Sequence, residues 1–264
     1  MRARIPLLLA LAIGLSACAS RIPLPEQGSL TIACTDSFEP LVSALSDAFR
    51  ERHPNVAVQV DVRNDANARQ RLEAGRADLA LLANPPDPLP DGWQQRAVAL
   101  EALALVVHPD NGLSQIGLAQ TQMVFSGRIA SWDALGVSGG EIQPVSRENG
   151  SAARDAFQSA VLRERAITSL AILMPSSAAV AEYVAAHPDA IGYVAVHWAA
   201  GVKALRVEGS LPTPDAVKQG TYPLVMTASL VWQTSPSAEA QAFLDFAGSP
   251  AGRTAIANAG YAVP

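Results

Sequence analysis

Residues 30–62 read "LTIACTDSFEPLVSALSDAFRERHPNVAVQVDV". Residues 30–34 are a short apolar run, the pattern of a buried strand. Residues 38–52 then carry Leu41, Leu45, Ala48 and Phe49 on one helical face, with Pro40 in the first turn, where a missing N–H costs nothing. "HPN" stops that helix, and Val56, Val58, Val60 and Val62 alternate along a second strand. Strand, helix, strand is the unit of a parallel sheet covered by helices, so this stretch predicts an α/β fold.

The pattern continues outward. Residues 66–74 predict a helix ended by Gly75, and "DLALLA" (78–83) a buried strand. Pro85, Pro86, Pro88 and Pro90 make the next stretch a loop. "LALVVHP" (103–109) predicts another strand, followed by helices near 115–124 and 131–134 and a strand near 142–145. A helix after Gly150, a helix over 177–186, strands over 190–196 and 223–232, and closing helices over 237–247 and 250–258 complete the chain. No internal repeat of 20–50 residues is present.

The 264 residues are 49% hydrophobic, enough for one large domain or two medium ones with real cores. A formal net charge of −5 gives no basic field for nucleic acid, so any anion would be held by local donors. Arg2, Arg4 and the apolar run 5–15 predict a secretory signal over 1–17, too short to span a bilayer. "LSAC" (15–18) resembles the bacterial lipoprotein box, which implies lipidation of Cys18 and anchoring to a membrane surface. Ala19 after the cysteine favours the outer membrane in a Gram-negative cell. Residues 18–28, with Pro23 and Pro25, read as a tether. With Cys18 acylated, Cys34 has no disulfide partner.

In α/β sheets ligands sit beyond the C-terminal ends of strands, against helix starts. Two segments meet that description, "CTDSFEP" (34–40) and "SRENGSAARDAF" (146–157). The second sets Arg147 three residues before Gly150, then Ser151 and two alanines where a helix begins. Small residues leave the free N–H groups of a helix start open, and a guanidinium fork suits an oxyanion. The plainer reading is an ordinary helix entry with Ser151 as its cap and Arg147 as a surface arginine paired with Glu148 or Asp155. Thr35 and Ser37 are donors or caps of the first helix, and Asp36 reads as a cap or turn residue.

"CTDSFEPLVSAL", "GRADLAL", "FSGRIASWDALG", "PVSRENGSAARDAF", "HPDAIGYV", "EGSLPTPDAVKQGTYPL" and "AFLDFAGSPAGRTAIANAGY" occur in that order over residues 30–264. Together they resemble the PstS-like phosphate-binding receptors of bacterial ABC transporters. That resemblance implies a two-lobe, type II-like periplasmic-binding-protein fold with a ligand cleft between lobes. We expect residues 29–104 with 223–264 in lobe 1 and 105–222 in lobe 2 with the crossover. It implies an extracytoplasmic, lipid-anchored protein that captures an oxyanion, phosphate first, and serves an ABC permease. It implies neither cofactor, resident metal nor catalysis. Carried over by position, the ligand set is Thr35, Ser37, Phe38, Asp65, Arg147, Gly150, Ser151 and Ala152. Cys34 replaces a family glycine, and Ala152 and Ala153 replace a glycine and a hydroxyl residue.

The family aspartate that accepts phosphate's proton aligns with Ala83. Asp65 is a replacement acceptor or a helix cap, Asp36, Glu39 and Glu148 are further candidate acceptors, and phosphate and sulfate both stay open. On this reading Arg147→Ala removes binding and leaves stability nearly unchanged. A degenerate receptor acting in sensing, adhesion or envelope assembly is the alternative. For an enzyme the signals are missing: there is no G-x-x-x-x-G-K-[ST] loop, no G-x-S-x-G elbow, and the four histidines are isolated.

Overall fold

A computed structural model describes residues 28–83 and 85–264. The expected signal, Cys18 and nearly all of the tether lie outside the described residues. Strand β1 (Gly28–Thr35) pairs in parallel with β2 (Val56–Arg63) on one side and β3 (Leu79–Leu82) on the other. Helices α1 (Glu39–Arg52) and α2 (Asp65–Glu73) are the crossovers. Leu41, Leu45 and Phe49 are fully buried, so α1 lies on the sheet by the predicted face.

Strand β4 is longer than its apolar run. It covers Trp93–Val107, ten residues upstream of the expected start. The polar stretch Gln94–Gln95–Arg96 hides that half from a hydrophobicity reading, because its backbone pairs while its side chains stay exposed. The next element is also shifted. Gln115–Ile116 is a short strand, β5, and α3 runs Leu118–Phe125. Gly117 separates them, its N–H taken by the Gln120 side chain. A 3-10 turn (Trp132–Leu135), β6 (Gln143–Arg147), α4 (Ala152–Phe157), β7 (Ile172–Met174), α5 (Ser177–Ala186) and β8 (Ala190–Ala195) follow. The short β9 (Lys203–Ala204), β10 (Arg206–Val207) and α6 (Pro214–Lys218) lead to β11 (Val225–Gln233), α7 (Ala238–Gly248) and α8 (Pro250–Asn258).

Among the described residues one sheet has the order β2-β1-β3-β11-β4-β8-β6-β7, with β9 also on β4. Strand β4 joins its two halves. Residues 93–102 pair antiparallel with β11, and Leu103–Val107 pair antiparallel with β8. The chain recrosses beside the same point, where the Leu103 N–H donates to the Leu224 carbonyl at 2.9 Å. β1, β2 and β3 therefore lie in a first half, β6, β7 and β8 in a second, and parallel pairing points their C-terminal ends at the space between.

A buried polar cluster pins this crossing. Glu101 Oε1 lies 2.6 Å from His197 Nδ1, His197 Nε2 lies 2.7 Å from the Ala259 carbonyl, and the ring stacks on Tyr261 at 3.9 Å. Both ring nitrogens face acceptors, so the histidine and the glutamate hold two protons between them.

Candidate functional site

The two expected segments meet. Thr35 ends β1, and a 3-10 turn over Asp36–Phe38 leads into α1. Arg147 ends β6, and Ser151 stands at the start of α4. Although 111 positions apart in the chain, Arg147 and Asp36 form a bidentate pair, Nη1 to Oδ2 at 2.9 Å and Nη2 to Oδ1 at 3.1 Å. A second bond joins the segments through the backbone, where the Ala66 N–H donates to the Gly150 carbonyl at 3.1 Å. At the mouth lies a cavity of about 410 Å³, walled by Asp36, Val62 and Asn64 from one half and Glu148, Pro175 and Ser176 from the other.

Thr35, Ser37 and Ser151 are fully buried. Their hydroxyl oxygens have no hydrogen-bond partner among the described residues. The capping roles open to them are not taken up: none of the three makes a side-chain cap bond. A buried hydroxyl without a partner costs about 1–3 kcal/mol. Three such hydroxyls stand at one junction, contributed by both halves.

Asp65 stands directly above the turn. It follows β2 by two residues, and its Oδ1 accepts the N–H of Ala83, just past β3, at 2.8 Å. Since β1 lies between β2 and β3, that bond passes over the exit of β1, where Thr35–Ser37 leave the sheet. Asp65 is not the helix cap. Asn64 is, accepting the Asn67 N–H at 2.9 Å. With the cap supplied one residue earlier, the Asp65 carboxyl is free to reach across the sheet.

Burial pushes the Asp65 carboxyl up to about 7; the Ala83 N–H opposes the shift, and Asp155 adds to it. Its folded value lies above its unfolded value. The corresponding stabilisation is therefore full below about pH 3.8 and lost as pH rises through about 7. Asp65→Asn is expected to raise the melting temperature at pH 8 and to leave it close to wild type at about pH 3.5, below the unfolded pKa. Equal shifts at both pH values would contradict a buried, titrating Asp65.

Arg147 is not a surface residue. It is fully buried and each of its five N–H groups meets a protein acceptor. Nε donates to Glu148 Oε2 (3.0 Å) and the Met174 carbonyl (3.2 Å). Nη1 takes Asp36 and Ser177 Oγ, and Nη2 takes Asp36, Glu148 and the Pro175 carbonyl. Burial lowers its pKa, but Asp36 and Glu148 outweigh that, so the guanidinium is held charged.

The remaining sequence candidates fall at the same junction. The Phe38 ring is buried, edge-on to Tyr261 at 6.5 Å. Gly150 has φ +81°, and a Cβ there would lie 2.8 Å from the Ala66 Cβ. Ala152 is buried in the first turn of α4. Sequence reasoning took Asp36 for a cap or turn residue, or a candidate acceptor, and passed over Ser177. The signal for the latter was "PSSAAV" (175–180), a second hydroxyl-rich helix start. Among the described residues no three His, Cys, Asp or Glu side chains gather as metal ligands, and no helix is long and apolar enough to cross a membrane.

Comparison with known proteins places this architecture. A family model described as a PBP superfamily domain matches residues 19–251. The chain belongs to the PBP superfamily. Within it, the chain is similar to PstS proteins over most of its length. The phosphate-binding protein PstS of Bacillus subtilis (strain 168) is 28% identical over 225 residues, 83% of this chain and 75% of that protein. PstS of Pseudomonas aeruginosa PAO1 is 24% identical over 267 residues, 89% of this chain and 82% of that one. A Clostridium perfringens structure described as a phosphate ABC transporter substrate-binding protein with bound phosphate superposes with a TM-score of 0.84 at 24% identity. It covers 90% of this chain and all of its own. A phosphate transport receptor from Vibrio cholerae gives 0.74 at 23%, covering 89% and 100%. The two-lobe periplasmic-binding-protein fold expected from the sequence is thus the observed one, and the relatives are binding proteins rather than enzymes.

Proposed function

We propose that this PBP-superfamily chain is an extracytoplasmic receptor that captures an inorganic oxyanion, phosphate first, for an ABC transporter. The observation that carries the reading is the trio of buried, unpartnered hydroxyls on Thr35, Ser37 and Ser151, one from the second half of the sheet and two from the first. In this reading they donate to the anion at the two helix starts, beside α1 and α4. Neutral, fixed donors hold an oxyanion without a net positive field, as the acidic chain requires. Asp65 then faces the anion as an acceptor, and Arg147 supplies positive charge from behind Asp36.

Residues 29–104 with 223–264 and residues 105–222 are the two lobes, and the oxyanion shifts them towards closure. Cys18 carries the lipid anchor, after removal of 1–17, on the periplasmic side of the outer membrane in a Gram-negative cell. A second reading, a receptor fold kept for sensing, adhesion or envelope assembly, draws on the complete engagement of Arg147 by protein acceptors.

Calorimetric titration with phosphate, sulfate and arsenate tests the choice. Micromolar binding of phosphate is expected, with arsenate close behind because it also carries a proton. Asp65→Asn removes the acceptor that selects a protonated anion, and the phosphate-to-sulfate preference is expected to fall about tenfold or more, the worth of one charged hydrogen bond. No heat with any of the three anions would sink the transport reading and leave the second.

A further inference from the structure

Asp36 comes from the first half of the sheet, yet its carboxylate bonds to Arg147 and Ser177 of the second. Its carboxylate receives Arg147 Nη1 and Nη2, the Ser177 N–H at 3.0 Å and the Ser177 hydroxyl at 3.1 Å. Ser177 opens α5, a ten-residue helix, and its hydroxyl also accepts from Arg147 Nη1 at 3.0 Å. A guanidinium fork, a helix N-terminus and a hydroxyl are the set of groups that binds a free anion. Here that set is filled by a carboxylate of the same chain. We infer that Asp36 is an intramolecular ligand: its docking into the Arg147–Ser177 pocket holds the two lobes together and sets the closed population before any oxyanion binds.

The inference rests on the oxyanion reading for its purpose but on the bonds above for its substance. Asp36 is flanked on the same short turn by Thr35 and Ser37, both unpartnered hydroxyl residues. Docking of the carboxylate therefore fixes the turn that aims them. Arg147 and Glu148 belong to the opposite lobe, so separation returns Asp36 and the guanidinium to water together. A buried pair that can rehydrate at both ends gives a modest, reversible bias rather than a permanent weld. Asp36 is thus a positioning residue for the oxyanion site, acting through lobe closure.

Small-angle scattering on the full chain without added oxyanion tests this directly. Wild type is expected to be compact. Asp36→Ala is expected to be expanded and to become compact again on addition of acetate, which supplies the missing carboxylate to the Arg147–Ser177 pocket. Ser177→Ala removes two of the bonds while leaving the charges, and is expected to expand part of the way. Phosphate dissociation in Asp36→Ala should be faster by about tenfold, within the usual range of coupling between a conformational equilibrium and a ligand. An unchanged scattering profile in Asp36→Ala, or an expanded one that acetate does not reverse, overturns the inference. The scattering result is independent of phosphate: compaction by acetate with no oxyanion binding would sink the receptor reading and leave the docking intact.

Discussion

Arg147→Ala is expected to lower the unfolding free energy by about 3 kcal/mol, at the low end of the 3–5 kcal/mol typical of breaking a buried ion pair. The sequence alone suggested that this substitution would leave stability nearly unchanged, because a ligand-facing arginine is idle in the unliganded protein. The structure gives the opposite expectation. Arg147 is fully buried and its fork serves Asp36, Glu148, Ser177 and two carbonyls, Met174 and Pro175. Truncation strands Asp36, whose own burial is nearly complete at 8% exposure. Lobe separation can rehydrate that carboxylate, which keeps the loss near the lower bound. Arg147→Lys should recover little, since an ammonium cannot serve two carboxylates and two carbonyls through a planar fork. The urea midpoint at pH 7 measures it. The pair Arg147→Ala/Asp36→Asn should be less damaged than Arg147→Ala alone, because the stranded charge is gone. A midpoint within error of wild type would show that Asp36 does not depend on Arg147.

Gly150→Ala is the second large effect. The residue sits at φ +81°, in the left-handed region where an L side chain costs about 1–2 kcal/mol. The added Cβ would also lie 2.8 Å from the Ala66 Cβ, on the opposite half, and an alanine methyl group has no rotamer that swings away. The clash falls where the Ala66 N–H meets the Gly150 carbonyl, so relieving it separates the two segments. Oxyanion affinity is expected to drop at least about tenfold, the equivalent of 1.4 kcal/mol. Ala66→Gly in the same chain removes the clash but not the backbone strain. The double variant should therefore regain affinity while staying less stable than wild type. If Ala66→Gly restores nothing, the close approach across the cleft is not what limits Gly150.

The fold was legible where one element's pattern suffices. The apolar faces of residues 30–62 name β1, α1 and β2 without outside help. The start of β4 was not, since Gln94–Gln95–Arg96 pairs through its backbone and shows no alternation to read. The site divides the same way. Arg147, Ser151, Thr35 and Ser37 announce themselves by residue type beside a helix start, and they do converge. The partner of Arg147 does not, because nothing near Asp36 in the chain indicates an arginine 111 positions away. Asp65 was visible as an acid in the right place. Its direction depended on whether Asn64 or Asp65 took the cap, and on a bond from the Ala83 N–H 18 positions away that local sequence does not reveal.

Strand β4 runs for fifteen residues, with one bulge at Val98 opposite Ala228 and Ser229, and changes partners, from β11 to β8, between Ala102 and Leu103. Two bodies tied by floppy peptide can swing through wide, poorly defined arcs. Two bodies welded to a shared ribbon cannot; they can only twist it. Any opening between the two halves is thus a torsional deformation of that ribbon with a restoring force, repeatable from one cycle to the next.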